Sequence, residues 1–133
     1  MSFAHITLGT RHVEKTATFL EETLGYPRDP VPANVPVESV WLNLGRGQQI
    51  HLTYAEGFEI TPFELEFGRH LAVFYPLDHF DALKARLVER GAEIVPPLRA
   101  TTFDRFFFRE PVNGYLFEVI DQARAPLASH LDQ

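Results

Sequence analysis

A chain of 133 residues with 45% hydrophobic and 13% aromatic content has the material for one compact domain with its own core, which excludes a disordered chain. The net charge of −6, from 18 acidic and 12 basic residues without a Lys/Arg cluster, argues against nucleic acid or an anionic membrane as partner. No cysteine occurs, so disulfides, thiolate metal sites and a cysteine nucleophile are ruled out, and any metal must be held by nitrogen and oxygen.

The opening MSFAHITLG lacks a basic start followed by a long apolar stretch, and no run of about 18 apolar residues occurs; the expectation is a cytoplasmic protein without a membrane span. Residues 3 to 8 alternate as a strand does. After GTRH, Val13, Ala17, Leu20 and Leu24 fall on one helical face, and Gly25 is placed to stop the helix. The segment PRDPVPANVPV, residues 27 to 37, carries four prolines, which suits an edge strand or extended loop and excludes a central strand. In residues 49 to 53, Gln49, His51 and Thr53 share one strand face, while Ile50, Leu52 and Tyr54 share the other.

AEGFEITPFELE, residues 55 to 66, has four glutamates among aromatics and reads as a solvated linker, with a segment folded over an opening as the alternative. A second strand follows at 70 to 75. Asp78 is the expected N-cap of a helix bearing Phe80, Leu83, Leu87 and Val88 on its apolar face, with Asp81 in the first turn and Gly91 as the stop. TFDRFFFRE, residues 102 to 110, puts Phe103, Arg105, Phe107 and Arg109 on one face and Asp104, Phe106 and Phe108 on the other. The tail after residue 123 is expected to make a short helical turn. His12 and His79, at the helix starts, are expected at the surface.

Each helix is thus followed by three strand-like stretches, giving two βαβββ modules. The offsets repeat: His5 to His70 is 65 residues, Leu20 to Leu87 is 67, Gly25 to Gly91 is 66 and Gly47 to Gly114 is 67. His51 and Glu118 each stand four residues after the later glycine pair. A period near 66 points to a duplicated module rather than a solenoid repeat. The expected organisation is one domain over residues 1–133, with module 1 at about 3–55, a linker at about 56–67, module 2 at about 68–121 and a tail at about 122–133. The fold class is α+β, with the two modules pairing into an open, cup-shaped mixed sheet.

If the first strands are equivalent, and the last strands likewise, a duplicated cup gathers His5, His51, His70 and Glu118. Imidazole nitrogen and carboxylate oxygen are ligand types for Fe²⁺, Zn²⁺, Ni²⁺, Mn²⁺ or Co²⁺. Glu118 shares its strand face with Leu116 and Ile120, where an unpaired buried carboxylate is costly. A cation would answer that cost, and so would an arginine from the preceding strand, Arg105 or Arg109. Arg105 is also a candidate for binding a substrate carboxylate or phosphate, and Trp41 and Tyr54 are candidates for a pocket wall, against the plainer reading of core packing.

These residues carry a resemblance. HITLGTRHVEKTATFLEETLGYP, IHLTY, RHLAVFY and REPVNGYLFEVID, the last with an acidic-Pro-x-x-Gly signature ahead of a glutamate, make the chain similar to the vicinal oxygen chelate superfamily of glyoxalases, bleomycin-resistance proteins and extradiol dioxygenases. The resemblance implies a glyoxalase-like fold, a divalent metal, a homodimer and a small-molecule substrate. It places the metal at His5, His70 and Glu118, with His51 at the remaining ligand position, where glyoxalase I has glutamate. His51 is then a fourth ligand or a proton shuttle, and His51 and Glu118 are the catalytic candidates.

The implied activity is a metal-dependent lyase/isomerase or ring-cleaving dioxygenase, acting on a substrate with two neighbouring oxygens such as a hydroxyketone, a 2-oxo acid or a catechol. A metal-independent drug-binding protein of the bleomycin-resistance type is the alternative. Thiol transfer to fosfomycin, which also uses two His and one Glu, fits less well because no clear basic loop is present.

Overall fold

The structure, a computed structural model, describes residues 3–124. It contains two compact units, one running up to Glu59 and one from Ile60 onward, and each is a βαβββ module. Among the described residues no helix is long and apolar enough to cross a membrane.

In the first unit, β1 (His5–Thr10) leads into α1 (Val13–Thr23), followed by the short β2 (Arg28–Asp29), β3 (Ser39–Gly45) and β4 (Gln48–Tyr54). The sheet order is β1-β4-β3-β2: β1 runs parallel to β4, and the other neighbours are antiparallel. One sheet face, with Leu8, Val40, Leu42, Ile50 and Leu52, is buried together with Val13, Ala17, Leu20 and Leu24 of the helix segment. A side chain of this kind, fully buried, contributes about 2 kcal/mol. Gly25 ends the helix as expected; its φ of +81° is the left-handed conformation a Cβ disfavours, and its N–H reaches back to the Leu20 carbonyl. In the proline-rich segment only Arg28–Asp29 pairs, at the sheet edge.

Arg28 makes a fork of hydrogen bonds from β2 to α1, donating to both carboxylate oxygens of Glu14 at 3.2 and 2.9 Å and to Glu21 at 2.9 Å. The hydrogen bonds from Arg28 hold the Glu14 carboxyl below its usual pKa of 4.5. These groups are half exposed, so the cluster is worth at most about 1 kcal/mol. We expect Arg28→Ala to cost that little at neutral pH. Because the Glu14 pKa is lowered by folding, the loss should be complete above pH 4.5 and fade as acid protonates the carboxylate; urea titrations at pH 7 and pH 3 check this.

The second unit repeats the plan. β5 (Leu71–Tyr75), α2 (Phe80–Glu89), β6 (Glu93–Val95), β7 (Arg105–Arg109) and β8 (Leu116–Asp121) give the order β5-β8-β7-β6, again with one parallel pair, β5 with β8. Phe106, Phe108, Phe117 and Val119 are buried on one face, with Phe108 and Phe117 stacked at 5.0 Å across β7 and β8. Phe80 at the start of α2 meets Phe106 edge-on at 5.2 Å. Gly91 stops α2 with φ +94°, matching Gly25. The α+β class expected from the sequence is what the two helices and two four-stranded mixed sheets form.

Three local expectations are corrected. Asp78 does not cap α2: a 3₁₀ turn, Leu77–His79, intervenes, and the cap position falls on His79 without a side-chain hydrogen bond. Val88 is 58% exposed, since Phe80, Leu83 and Leu87 alone fill the buried stripe of α2. The segment read as a solvated linker instead buries Glu64 and sends Glu66 into hydrogen bonds with the second unit's own loops. The helical turn expected in the tail beyond residue 124 lies outside the described residues.

Candidate functional site

On β4, strand alternation turns Gln49, His51 and Thr53 away from the helix-covered face. His51 is 8% exposed and lies flat between two rings: Trp41, its β3 partner in register, at 3.9 Å with planes 2° apart, and His5 at 3.8 Å and 9°. His5 reaches this position diagonally, because Thr7, two residues on, is the register partner of His51.

The hydrogen bonds assign the tautomer of His51. Gln49 Nε2 donates to Asp29 Oδ2 at 2.7 Å, and a carboxylate only accepts, so the Gln49 oxygen is the atom facing His51 Nε2 at 2.7 Å. His51 therefore donates from Nε2 and keeps its lone pair on Nδ1. Burial first, and then the neighbouring charge of His5, lowers the pKa of His51, so the ring is held neutral. Asn43 completes the support by donating to Asp29 Oδ1 at 3.3 Å. Asp29 and Asn43 were not singled out from the sequence; only the shared face of Gln49 and His51 hinted at this chain of bonds.

The stacking also limits what His5 and His51 can do together. Imidazole lone pairs lie in the ring plane, and nearly parallel planes 3.8 Å apart cannot converge on one ion at a bond length of about 2.1 Å. Tyr54, a candidate pocket wall with Trp41, is on the opposite sheet face and is exposed at the end of β4.

In the second unit His70 stands one residue before β5. Its Nδ1 lies 3.3 Å from the Leu65 carbonyl oxygen and its Nε2 lies 3.1 Å from Glu118 Oε1 on β8. Both partners are acceptors. A neutral imidazole has one N–H and can satisfy only one of them, so the second contact calls for another proton or a cation. Donation from Nδ1 to a backbone carbonyl with Nε2 directed at a ligand is the usual arrangement of a metal-binding histidine. The separation of 3.1 Å also matches the span of about 3 Å between two donors at right angles around an ion with bonds of about 2.1 Å. As a donor pair, His70 and Glu118 fit a divalent ion.

Glu118 is only 6% exposed, and its burial is answered by arginine. Arg105 Nη1 donates to Glu118 Oε2 at 3.0 Å, while Nη2 donates to Glu66 Oε2 at 3.0 Å and to the Arg99 carbonyl at 2.6 Å. Burial works against the charge of Arg105, but the hydrogen bonds it donates to Glu66 and Glu118 outweigh it and raise the pKa. Glu66 in turn accepts the N–H groups of Leu98 and Arg99, and these bonds, with Arg105, lower its pKa against the opposing effect of burial. The guanidinium is thus committed to carboxylates of the same unit. Phe107 floors the cluster, edge-on to His70 at 5.3 Å and under the Arg105 guanidinium at 5.2 Å. Arg109, the other arginine considered for Glu118, donates instead to the carbonyls of Glu64 and Gly114 at 3.2 Å.

The acidic residue of the Glu-Pro-x-x-Gly signature has a structural task. Glu110, 1% exposed, accepts backbone N–H groups from Val112 at 2.7 Å, Asn113 at 2.9 Å and Tyr115 at 3.2 Å, closing the turn that launches β8 toward Glu118. Among the described residues no group of three or more His, Asp or Glu is gathered to hold a metal ion.

A family model described as the Glyoxalase/Bleomycin resistance protein/Dioxygenase superfamily matches residues 2–119. Solved structures share the fold. The fosfomycin resistance protein FosX from Listeria monocytogenes, in complex with Mn(II) and dihydroxypropylphosphonic acid, is similar with a TM-score of 0.75 at 17% identity, over 99% of this chain and 98% of that one. FosX from Mesorhizobium loti gives 0.70 at 16% identity, over 99% and 98%. A glyoxalase family protein from Bacillus anthracis gives 0.73 at 22%, over 91% and 94%. A search of curated protein sequences found no match.

Proposed function

Because this chain belongs to the glyoxalase/bleomycin resistance protein/dioxygenase superfamily, we propose that it is a divalent-metal-dependent enzyme acting on a small substrate that presents two neighbouring oxygens. His70 Nε2 and Glu118 Oε1 hold the ion in this reading, and His5, at the repeat-equivalent position of His70, is the third ligand, supplied by the same chain or by a second copy of it. The observation that carries the reading is the surroundings of His70, whose Nδ1 faces the Leu65 carbonyl oxygen while its Nε2 faces Glu118 Oε1.

When bound, the ion supplies a Lewis acid for the paired oxygens of the substrate. His51 is the proton-handling group rather than a ligand. Its Nε2–H is held by Gln49, its ring is stacked on Trp41, and Nδ1 is left to take a proton from the substrate and return it. The proton transfer suits a lyase or isomerase, whereas ring cleavage of a catechol asks less of His51. Oxygen uptake with catechols against turnover of hemithioacetals separates these two outcomes.

The test is metal binding by protein purified without an affinity tag. We expect one Mn(II) or Zn(II) per chain by calorimetry, weakened about 100-fold or more in His70→Ala, the loss of a direct ligand exceeding that of a supporting residue. Equal binding by the wild type and His70→Ala sinks the reading. The metal-independent alternative, binding of a drug or other ligand, is favoured by one observation: Arg105 already answers the buried charge of Glu118. Binding of a planar aromatic drug unchanged by a chelator would select it.

A further inference from the structure

We infer that Arg105 is a positioning residue that restricts Glu118 to binding a metal ion through one oxygen, with Glu66 setting how tightly Arg105 grips; this rests on the metal reading above. Glu118 offers two oxygens, and a carboxylate free on both sides can take an ion with both. Here the two are divided: Oε1 faces His70 at 3.1 Å, and Oε2 is occupied by Arg105 Nη1 at 3.0 Å.

Arg105 cannot readily leave. Its side chain is 3% exposed, and Nη2 is held by Glu66 at 3.0 Å and by the Arg99 carbonyl at 2.6 Å. Glu66 comes from the segment before His70 and is itself fixed by the N–H groups of Leu98 and Arg99. The guanidinium is therefore shared between two carboxylates, one belonging to the proposed site and one outside it. A substrate that chelates through two oxygens needs two adjacent open positions, and a one-oxygen carboxylate leaves one more open than a two-oxygen carboxylate does.

The shared arginine makes the two carboxylate partners act with opposite sign. Arg105→Gln removes a cation beside the ion and frees Oε2, so Mn(II) should bind about tenfold more tightly. In a six-coordinate site with three protein atoms, the bound waters should fall from three to two, lowering the water-proton relaxation by the bound Mn(II) by about one third. Glu66→Gln removes the charge that draws Arg105 away from Glu118, so the arginine competes harder with the ion and Mn(II) should bind about tenfold more weakly, with the relaxation per bound ion unchanged. A merely structural role would weaken binding in both variants.

The experiment is Mn(II) titration of wild type, Arg105→Gln and Glu66→Gln, read by electron paramagnetic resonance for affinity and by proton relaxation for bound water, with circular dichroism confirming the fold. Glu66→Gln keeps Arg105 in place and serves if Arg105→Gln does not fold. Opposite shifts in the two variants support the inference; where Arg105→Gln does not fold, weakened binding in Glu66→Gln with relaxation per ion unchanged supports it. Affinities within twofold of wild type, or a parallel loss in both variants, overturn it while leaving the metal reading intact. Failure of the wild type to bind Mn(II) overturns both.

Discussion

Glu110→Ala is expected to lower the melting temperature by on the order of 10 °C, the largest stability effect of any single change proposed for this protein. The carboxylate lies under the turn between β7 and β8 and accepts N–H groups from Val112, Asn113 and Tyr115, while Gly114 N–H donates to the Glu110 carbonyl at 3.0 Å and Glu110 N–H to the Tyr115 carbonyl at 2.9 Å. Alanine keeps the two backbone bonds and removes all of the carboxylate ones. Hydrogen bonds to a charged acceptor are worth about 1.5–3 kcal/mol each, and partial access of water to Val112 and Asn113 brings the sum down to about 3 kcal/mol. Gln at this position retains one acceptor oxygen and should recover roughly half of the loss. Calorimetric melting of the two variants checks both statements, and a midpoint within about 2 °C of wild type for the alanine variant refutes the assignment.

Gly68→Ala is expected to combine a stability loss of about 1–3 kcal/mol with loss of tight metal binding. A Cβ at Gly68 would overlap the carbonyl oxygen of Phe63, which already accepts the Arg69 N–H at 2.7 Å in a turn where Gly68 N–H also binds the Leu65 carbonyl at 3.0 Å. The obstacle is backbone, so the turn must move as a whole. Its movement would disturb Glu64, whose Oε1 accepts Leu116 N–H at 2.8 Å and Arg69 Nη1 at 2.6 Å, and Glu66, which holds Arg105. His70 follows two residues later. Gly57→Ala is the matched control: nothing lies within 4 Å of its Cβ, and a change of under about 0.5 kcal/mol is expected. Thermal melts with a parallel Mn(II) titration separate the two positions, and equal behaviour of both variants would refute the constraint at Gly68.

The resemblance to one superfamily was visible in the sequence because it rests on spaced, local signals. Helix stops at Gly25 and Gly91, the alternation at Gln49, His51 and Thr53, and the acidic-Pro-x-x-Gly turn at Glu110 each depend on residues near one another in the chain. Proline confined the segment from 27 to 37 to an edge for the same local reason. The expected cap at Asp78 failed because a 3₁₀ turn of three residues fits the same pattern. Val88 failed because a stripe of three buried residues was enough for a ten-residue helix.

The site was legible as a set of residue types and much less so as a set of partners. His70 and Glu118 are brought together across β5 and β8, but whether Glu118 would be answered by a cation or an arginine was open from the sequence, and the arginine turned out to be Arg105 rather than Arg109. The glutamates of residues 55 to 66 looked like a solvated run, since nothing local distinguishes Glu64 and Glu66 from Glu56 and Glu59. Their burial depends on Leu116, Arg105 and Leu98, which lie 52, 39 and 32 residues away.

The sequence by itself determined the duplicated βαβββ plan, the sheet faces and the candidate ligand types, because periodicity and turn chemistry act over a few residues. Only the tertiary structure decided which atoms face which: the Nε2–H tautomer of His51 through Gln49 and Asp29, the two acceptors around His70, and the division of Arg105 between Glu118 and Glu66. These are pairings between segments distant in the chain. They depend on strand register and loop path, which no local pattern encodes.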